Sequence, residues 1–341
     1  MSRLEVRPVI DADRAPIARL LRERHIRDIA RVPGLTAPFS REKPCEVATG
    51  RLFDSHHAEG VAAIRGGTVV GYLFGERMLL SPSHDASRFI EPHSISIPVL
   101  GHAIAHGEDA VALYRAMYAA LAGDWVRDGF FLHTTHIVPG DAELQEAWVA
   151  LGFGRKTTAA VRPTGPVNAL PATGGLDIHL AGPEDIEVIL HLGDVLNAHH
   201  AGAPMFWPVV RTADAAARES FVSALANPAN PHFVAYAPDG RPLGMQTFLN
   251  PGFTPPIAHE DGKTIYLFEG IVDTDVRGGG VGTGLLDASM RWCREQGFEA
   301  CCLHYASGNP SGAPFWQGHG FLPVEHTMQR HVDERIAWAN R

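Results

Sequence analysis

The sequence predicts an α/β (α+β) fold of two tandem domains, each a mixed, mostly antiparallel sheet flanked by helices. Three observations predict it. The chain has 341 residues, 45% of them apolar, which exceeds what one hydrophobic core usually serves and is enough to fill two. Near the middle, Arg162 to Gly175 reads RPTGPVNALPATGG, rich in Pro and Gly and without hydrophobic period, as a linker is. The two halves it separates, 1–165 and 172–335, present similar elements in the same order, and self-similarity of this kind is a direct sign of architecture.

The order begins alike in both halves. Leu4-Glu-Val-Arg-Pro-Val and Leu176-Asp-Ile-His-Leu alternate as strands, then pass through acidic residues (Asp11 and Asp13; Glu184 and Asp185) into amphipathic helices. A hairpin follows in each. In the first, Val61-Ala-Ala-Ile turns at Arg65-Gly-Gly into Thr68-Val-Val-Gly-Tyr-Leu-Phe; in the second, His232-Phe-Val-Ala-Tyr turns at Pro238-Asp-Gly-Arg into Pro242-Leu-Gly-Met-Gln-Thr-Phe. Next come a strand (Ser94–Leu100; Thr264–Val272), a long helix, a strand, a short helix and a last strand. The halves end alike: Trp148-Val-Ala-Leu-Gly-Phe and Trp316-Gln-Gly-His-Gly-Phe agree at Trp, Gly and Phe.

Composition narrows the function. A net charge of −9 lacks the basic footprint of a nucleic-acid partner. No stretch of about 18 uncharged apolar residues offers a membrane span, and the start carries Arg3, Glu5 and Arg7 instead of a signal sequence, so a cytoplasmic location is expected. Cys45, Cys293, Cys301 and Cys302 show no metal spacing and are expected to be reduced, buried thiols with no metal bound. Lys and Arg balance Asp and Glu at 19 each through Pro171, whereas the remainder has 10 against 19. That acidic half either attracts a cationic amine or is an ordinary solvated surface.

The strongest chemical signal follows the strand ending at Val272: Asp273-Thr-Asp-Val-Arg-Gly-Gly-Gly-Val-Gly-Thr-Gly-Leu-Leu286, a glycine-rich turn entering a helix expected over Leu285 to Glu295. Glycines let backbone N–H groups converge on an anion, and the helix start adds unpaired donors and partial positive charge. Arg277 adds a cationic fork suited to a diphosphate. A P-loop would need GxxxxGK[ST] and a dinucleotide loop GxGxxG; neither spacing is present. The alternative is a glycine-rich surface turn without a ligand.

Arg277-Gly-Gly-Gly-Val-Gly282 resembles the pyrophosphate motif of the GNAT superfamily, [RQ]xxGx[GA]. Asn309-Pro-Ser-Gly-Ala-Pro-Phe-Trp-Gln-Gly-His-Gly-Phe321 resembles its second signature, NxxAxxFYxxxGF, with Gly312 for Ala and Trp316 for Tyr. The resemblance covers Leu176 to Arg330 well and Leu4 to Val161 by element order. It implies two tandem GNAT folds, with two splayed central strands cradling pantetheine and acetyl-CoA as co-substrate. It further implies cofactor contacts from Ile271, Val272, Arg277, Gly278, Gly279, Gly280, Val281, Gly282, Thr283, Asn309, Phe315 and Trp316.

Direct acetyl transfer needs a neutral amine and a protonated leaving thiolate, each proton-transfer group being worth about 10² to 10⁴ in rate. Glu269, on the strand before the loop, is the candidate base; a carboxylate paired with an arginine or a backbone donor is the alternative. The family's usual acid is the tyrosine replaced here by Trp316, and an indole N–H cannot protonate a thiolate. Tyr305, His304 or a water is then expected to act. His199, His200 and Phe206, at the end of the first helix of this half, are candidates for lining the acceptor site.

In the first half, Gly101-His-Ala-Ile-Ala-His-Gly-Glu-Asp109 stands where the phosphate loop should be. It has no Arg or Lys, and Glu108 and Asp109 would repel pyrophosphate. This half is expected to turn over no acyl-CoA and to serve the acceptor cleft or a homodimer contact. The whole is expected to be an acetyl-CoA-dependent N-acetyltransferase acting on a small cationic amine. The alternatives are an acyl-CoA sensor without catalysis and an acyltransferase using another acyl group or a protein amine.

Overall fold

The computed structural model describes residues 3–81, 84, 87, 90–166, 175–207, 214–250 and 252–339. In chain order its elements are β1 (Leu4–Pro8), α1 (Arg14–Arg31), α2 (Glu42–Asp54), β2 (Ala58–Arg65), β3 (Thr68–Leu79), β4 (His93–Ile97), β5 (His102–Ile104), α3 (Ala110–Arg127), β6 (Leu132–Ile137), α4 (Ala142–Ala150) and β7 (Gly154–Pro163). There follow β8 (Asp177–Leu180), α5 (Ile186–Ala201), α6 (Asp214–Leu225), β9 (His232–Tyr236), β10 (Pro242–Leu249), β11 (Thr264–Val272), α7 (Val281–Glu295), β12 (Ala300–Ala306), α8 (Gly312–Gly318), β13 (Leu322–His331) and α9 (Ile336–Ala339). None of the described helices is long and apolar enough to cross a membrane.

The chain forms two compact units, one of Met1–Thr158 with Pro323–Arg341, the other of Ala159–Leu322. The linear expectation of 1–165 and 172–335 differs from this at the end of the chain. There β13 pairs antiparallel with β6, from His326↔Ile137 to His331↔Leu132, so the last strand completes the first unit's sheet. A return of this kind leaves no mark in local sequence. The expected linker begins as ordered chain, with Thr164 N–H and Oγ1 donating to the carbonyls of Glu299 and Phe298 at 3.0 and 2.7 Å. Its residues 167–174 lie outside the described residues.

In the first unit the strand order is β1-β2-β3-β4-β6-β13, with β5 also on β3. In the second it is β7-β12-β11-β10-β9-β8. Each unit holds a parallel pair, β4 with β6 and β11 with β12, while β1–β2, β2–β3, β3–β4 and β6–β13 in the first and β8–β9, β9–β10 and β10–β11 in the second are antiparallel. The β2–β3 hairpin turns at Gly66 and Gly67, whose φ values of 57° and 79° are those a two-residue primed turn requires.

Helices cover both faces of each sheet. In the first unit, Ile17, Leu20 and Leu21 of α1 pack with Tyr72 and Phe74, while Leu113, Met117 and Trp125 of α3 pack with Leu73 and Ile95. In the second, Leu285, Leu286 and Met290 of α7 pack with Ile265, Leu267 and Leu303, while Ile189, Leu192 and Leu196 of α5 pack with Met245 and Ile271. All four cysteines are buried. Burial pushes the thiols of Cys45 and Cys293 up, to about 11 and about 12, because an apolar setting disfavours thiolate.

Candidate active site

The site begins where two strands part. β11 and β12 pair from Thr264↔Ala300 to Leu267↔Leu303, where the ladder ends, although β11 runs on to Val272 and β12 to Ala306. On its other edge β11 stays paired with β10 through Gly244↔Val272, with a register shift that leaves Phe268 as an extra residue. A bulge bends its strand and increases the twist, and from Phe268 on the pairing of β11 with β12 is not continued, so the two strands part there.

The bulge also decides which side chains face which helices. Gly270 faces α8: a Cβ there would stand 3.1 Å from the Trp316 ring. Glu269, one residue back, takes the opposite face with Ile271, the face covered by α5. Its register partner on β10 is Thr247, a buried side chain. Glu269 itself is half-buried, and its Oε2 is shielded from solvent.

Gly278 and Gly280 have φ of 81° and 85°, conformations that an L side chain rarely takes. They turn the chain so that α7 starts at Val281, four residues before the expected Leu285. Gly280 is the N-cap, and no side chain fills the cap, so the leading N–H groups of α7 keep the anion-binding character of a helix start. Arg277 is exposed and held by Nε donating to the Val272 carbonyl at 3.1 Å. Gly279 N–H donates to Val276 O at 3.2 Å. Val281 is core, and a Cβ on Gly282 would come within 3.2 Å of Phe315.

The second signature supports this turn from α8. Asn309, an expected cofactor residue, starts α8: its Oδ1 accepts from Ser311 N–H and Oγ, both at 3.1 Å, and from Gly312 N–H at 2.8 Å. A Cβ on Gly312 would lie 2.7 Å from Asn309 Nδ2, which accounts for glycine where the family pattern has alanine. His319 closes the other end: Nδ1 donates to Phe315 O at 2.7 Å, leaving Nε2 to accept from Thr283 Oγ1 at 3.0 Å. Thr283, another expected cofactor residue, thereby ties α7 to α8. Trp316 meets Phe315 and Phe321 edge-on at 4.8 and 5.5 Å.

The candidate acids lie on opposite faces of β12. Tyr305 is 6% exposed within the α7–α8 core, and its hydroxyl oxygen accepts from Gln317 Nε2 at 2.8 Å. His304 faces the other way, its Nδ1 2.9 Å from the hydroxyl of Tyr266. Beside Tyr266 stand Phe253, edge-on at 5.7 Å, and the bulge residue Phe268, 6.1 Å from Phe253. This aromatic group, the Thr247–Glu269 pair and Gln317 were absent from the sequence reading. The bulge that brings Phe268 and Glu269 onto one side follows from pairing with β10, not from any local pattern.

His199 and His200 close α5 as expected. Burial, then the neighbouring His199, pushes His200 down to about 4, so it is neutral near pH 7, and it stacks on Trp207 with centroids 5.6 Å apart. Phe206 is 71% exposed at φ 48°.

The first unit treats the corresponding places differently. Ala110 opens α3 with Asp109 as N-cap, whose carboxylate accepts from Ala112 N–H at 3.0 Å, so its own side chain occupies the helix start. Glu108 is paired with Arg65 at 2.9 Å. His102, expected in the loop, instead belongs to β5. Fully buried, it contacts the Tyr114 hydroxyl through Nδ1 at 2.8 Å and reaches the His136 carbonyl of β6 through Nε2 at 3.0 Å. Its ring thus links β5 to β6, whereas in the second unit the pairing of β11 with β12 stops at Leu267 and Leu303. The Trp-Gly-Phe repeat is nevertheless the same structure twice. Phe153 and Phe321 N–H groups donate to Trp148 and Trp316 carbonyls at 3.1 Å each, with Gly152 and Gly320 at φ 83° and 85°.

Residues 197–321 match the acetyltransferase (GNAT) family. No curated protein matches the chain by sequence. Among solved structures, a GCN5-related N-acetyltransferase from Sphaerobacter thermophilus is similar in fold, with a TM-score of 0.58 at 14% identity over 96% of this chain and 95% of that one. A tandem GNAT protein from the clavulanic acid biosynthesis pathway gives a TM-score of 0.50 at 16% identity over 97% and 99%. Together with the parted strands and the glycine-capped helix, these matches identify a domain of the acetyltransferase (GNAT) family at residues 197–321, within a chain similar in fold to a tandem GNAT protein.

Proposed function

We propose that the second unit is an acyl-CoA-dependent N-acyltransferase, with acetyl-CoA as donor and a small cationic amine as acceptor, working by direct transfer in the cytoplasm. One observation carries the reading: α7 begins at a left-handed glycine with no capping side chain, directly after a strand that has parted from its neighbour. A diphosphate at that helix start is held by backbone N–H groups and Arg277, while the parted edges of β11 and β12 offer unpaired backbone groups to a pantetheine chain.

Glu269 takes the proton that the amine loses as the C–N bond forms. The acceptor side supports a cation. Glu269, Phe253, Tyr266 and Phe268 combine a carboxylate with aromatic faces, to which ammonium groups are attracted, and this half of the sequence carries the chain's negative balance. The first unit, with Asp109 on its helix start and His102 linking β5 to β6, turns over no acyl-CoA in this reading.

The test is calorimetric titration with acetyl-CoA, followed by thiol release across a panel of polyamines, amino sugars and aminoglycosides. One acetyl-CoA per chain with release of CoA for at least one amine is expected, and Glu269→Gln should lower turnover by roughly 10² or more without weakening acetyl-CoA binding. Absence of binding would return the loop to a structural turn. Binding without release across the panel would make the protein a sensor.

A further inference from the structure

Expulsion of a thiolate from a thioester calls for a proton donor on the leaving-group side of the cleft. Trp316 cannot be that donor, because an indole N–H does not ionise near neutral pH. Tyr305 lies on the parted segment of β12, on the face shared with Trp316 and opposite the face of Glu269. A phenol hydroxyl has one proton and can accept through its lone pairs. Here the oxygen accepts from Gln317 at 2.8 Å, so the proton is directed elsewhere, and among the described residues no acceptor takes it. His304 is the weaker candidate, since it faces away and meets Tyr266. A further titratable neighbour, His319 at the C-cap of α8, is occupied by Phe315 O and Thr283.

We propose that Tyr305 protonates the departing thiolate and that Gln317, a residue of α8 at a position the second signature leaves unspecified, is the positioning residue that aims it. The proposal rests on the acyltransferase reading above. The amine nitrogen bonds to the acyl carbon and the carbon–sulfur bond breaks with its electron pair passing to sulfur. Tyr305 gives its proton to that sulfur, Glu269 holds the proton lost by the amine, and the phenolate and carboxylic acid exchange protons with solvent once products leave. Gln317 N–H supports the phenol oxygen as its proton departs, as a donor to the charged form does.

The experiment measures acetyl-CoA affinity by calorimetry and kcat against pH for wild type, Tyr305→Phe and Gln317→Leu. The acceptor is the fastest amine of the panel, or hydroxylamine where the panel is slow. Tyr305→Phe should lose about 10²-fold in kcat with acetyl-CoA affinity unchanged, and the fall of kcat at high pH should disappear. Gln317→Leu should lose about tenfold and displace that fall along the pH axis. Gln317 is exposed, so it carries the test should Tyr305→Phe fail to fold. A Tyr305→Phe enzyme with wild-type kcat, or one slowed but keeping the high-pH fall, overturns this proposal while leaving the acyltransferase reading standing. A wild-type protein that binds no acetyl-CoA, or binds it and releases no CoA with any nucleophile, overturns both.

Discussion

Trp316 lies against the bare backbone of Gly270, so close that a Cβ on Gly270 would stand 3.1 Å from its ring. The indole is wedged between β11 and Phe321, and the size of the residue at 270 sets where it rests. Gly270→Ala should be tolerated with a loss under about 1 kcal/mol, because a ring edge gives by a few tenths of an ångström. Gly270→Val should cost about 1–3 kcal/mol, as overpacking does, and should displace the indole into the cleft and weaken acetyl-CoA binding. Urea unfolding and calorimetry on the two variants separate the effects.

Gly280 makes a sharper test of the proposed anion site. At φ 85° any side chain costs about 1 kcal/mol, and Asp is among the residues that bear such a conformation best. Gly280→Asp therefore places a carboxylate at the N-cap of α7 with little damage to the fold. The variant is expected to keep its circular dichroism spectrum and lose acetyl-CoA binding. Gly280→Ala, with the same backbone strain and no charge, should bind more weakly than wild type and clearly better than Gly280→Asp. Equal affinity in wild type and Gly280→Asp would remove the phosphate from this turn.

Local pattern is sufficient where the interacting residues are close in the chain. The Trp-Gly-Phe repeat, the two hairpins and the Arg277–Gly282 turn are short-range: their residues are neighbours in the chain, and glycine at a left-handed position or a two-residue turn announces itself. The pairing of β13 with β6 and the bulge at Phe268 depend on strands far apart in sequence. For that reason the unit boundary, the facing of Glu269 with Phe268, and the aromatic group at Phe253 were not legible. His102 was misplaced for a related reason. A polar residue after Gly101 looks like loop, yet Tyr114 and the His136 carbonyl satisfy it and let it enter a strand.

Buried histidines make the first unit sensitive to acid. Burial is the main cause that pushes His102 down to about 3, and His133 and His326 to about 4, against about 6.5 in the unfolded chain. A histidine lowered in the fold binds protons more readily when unfolded. Its contribution is therefore full above pH 6.5, falls as pH drops below that value, and stops changing below the folded value. Each such group removes about 1.4 kcal/mol per pH unit within its window. Urea unfolding at pH 7.5 and pH 5.0 should differ by several kcal/mol. His133→Gln should reduce the difference by about 2 kcal/mol, and a stability independent of pH across this range would contradict the burial of these rings.

Asp109 tests the proposal that the first unit takes no acyl-CoA, and whether charge alone or packing as well would exclude it. Asp109→Ala removes the carboxylate that caps α3 and should cost about 1 kcal/mol, the usual worth of an N-cap. It bares a helix start comparable to that of α7. It leaves His102 spanning from β5 to the His136 carbonyl with Tyr114 at its other nitrogen, and a buried ring held at both nitrogens does not yield to a flexible ligand without leaving polar groups unpaired. The expected stoichiometry in calorimetry is one acetyl-CoA per chain for wild type and for Asp109→Ala alike. A second site appearing in Asp109→Ala would mean that the carboxylate was the whole barrier and that the strands of the first unit can part as β11 and β12 do.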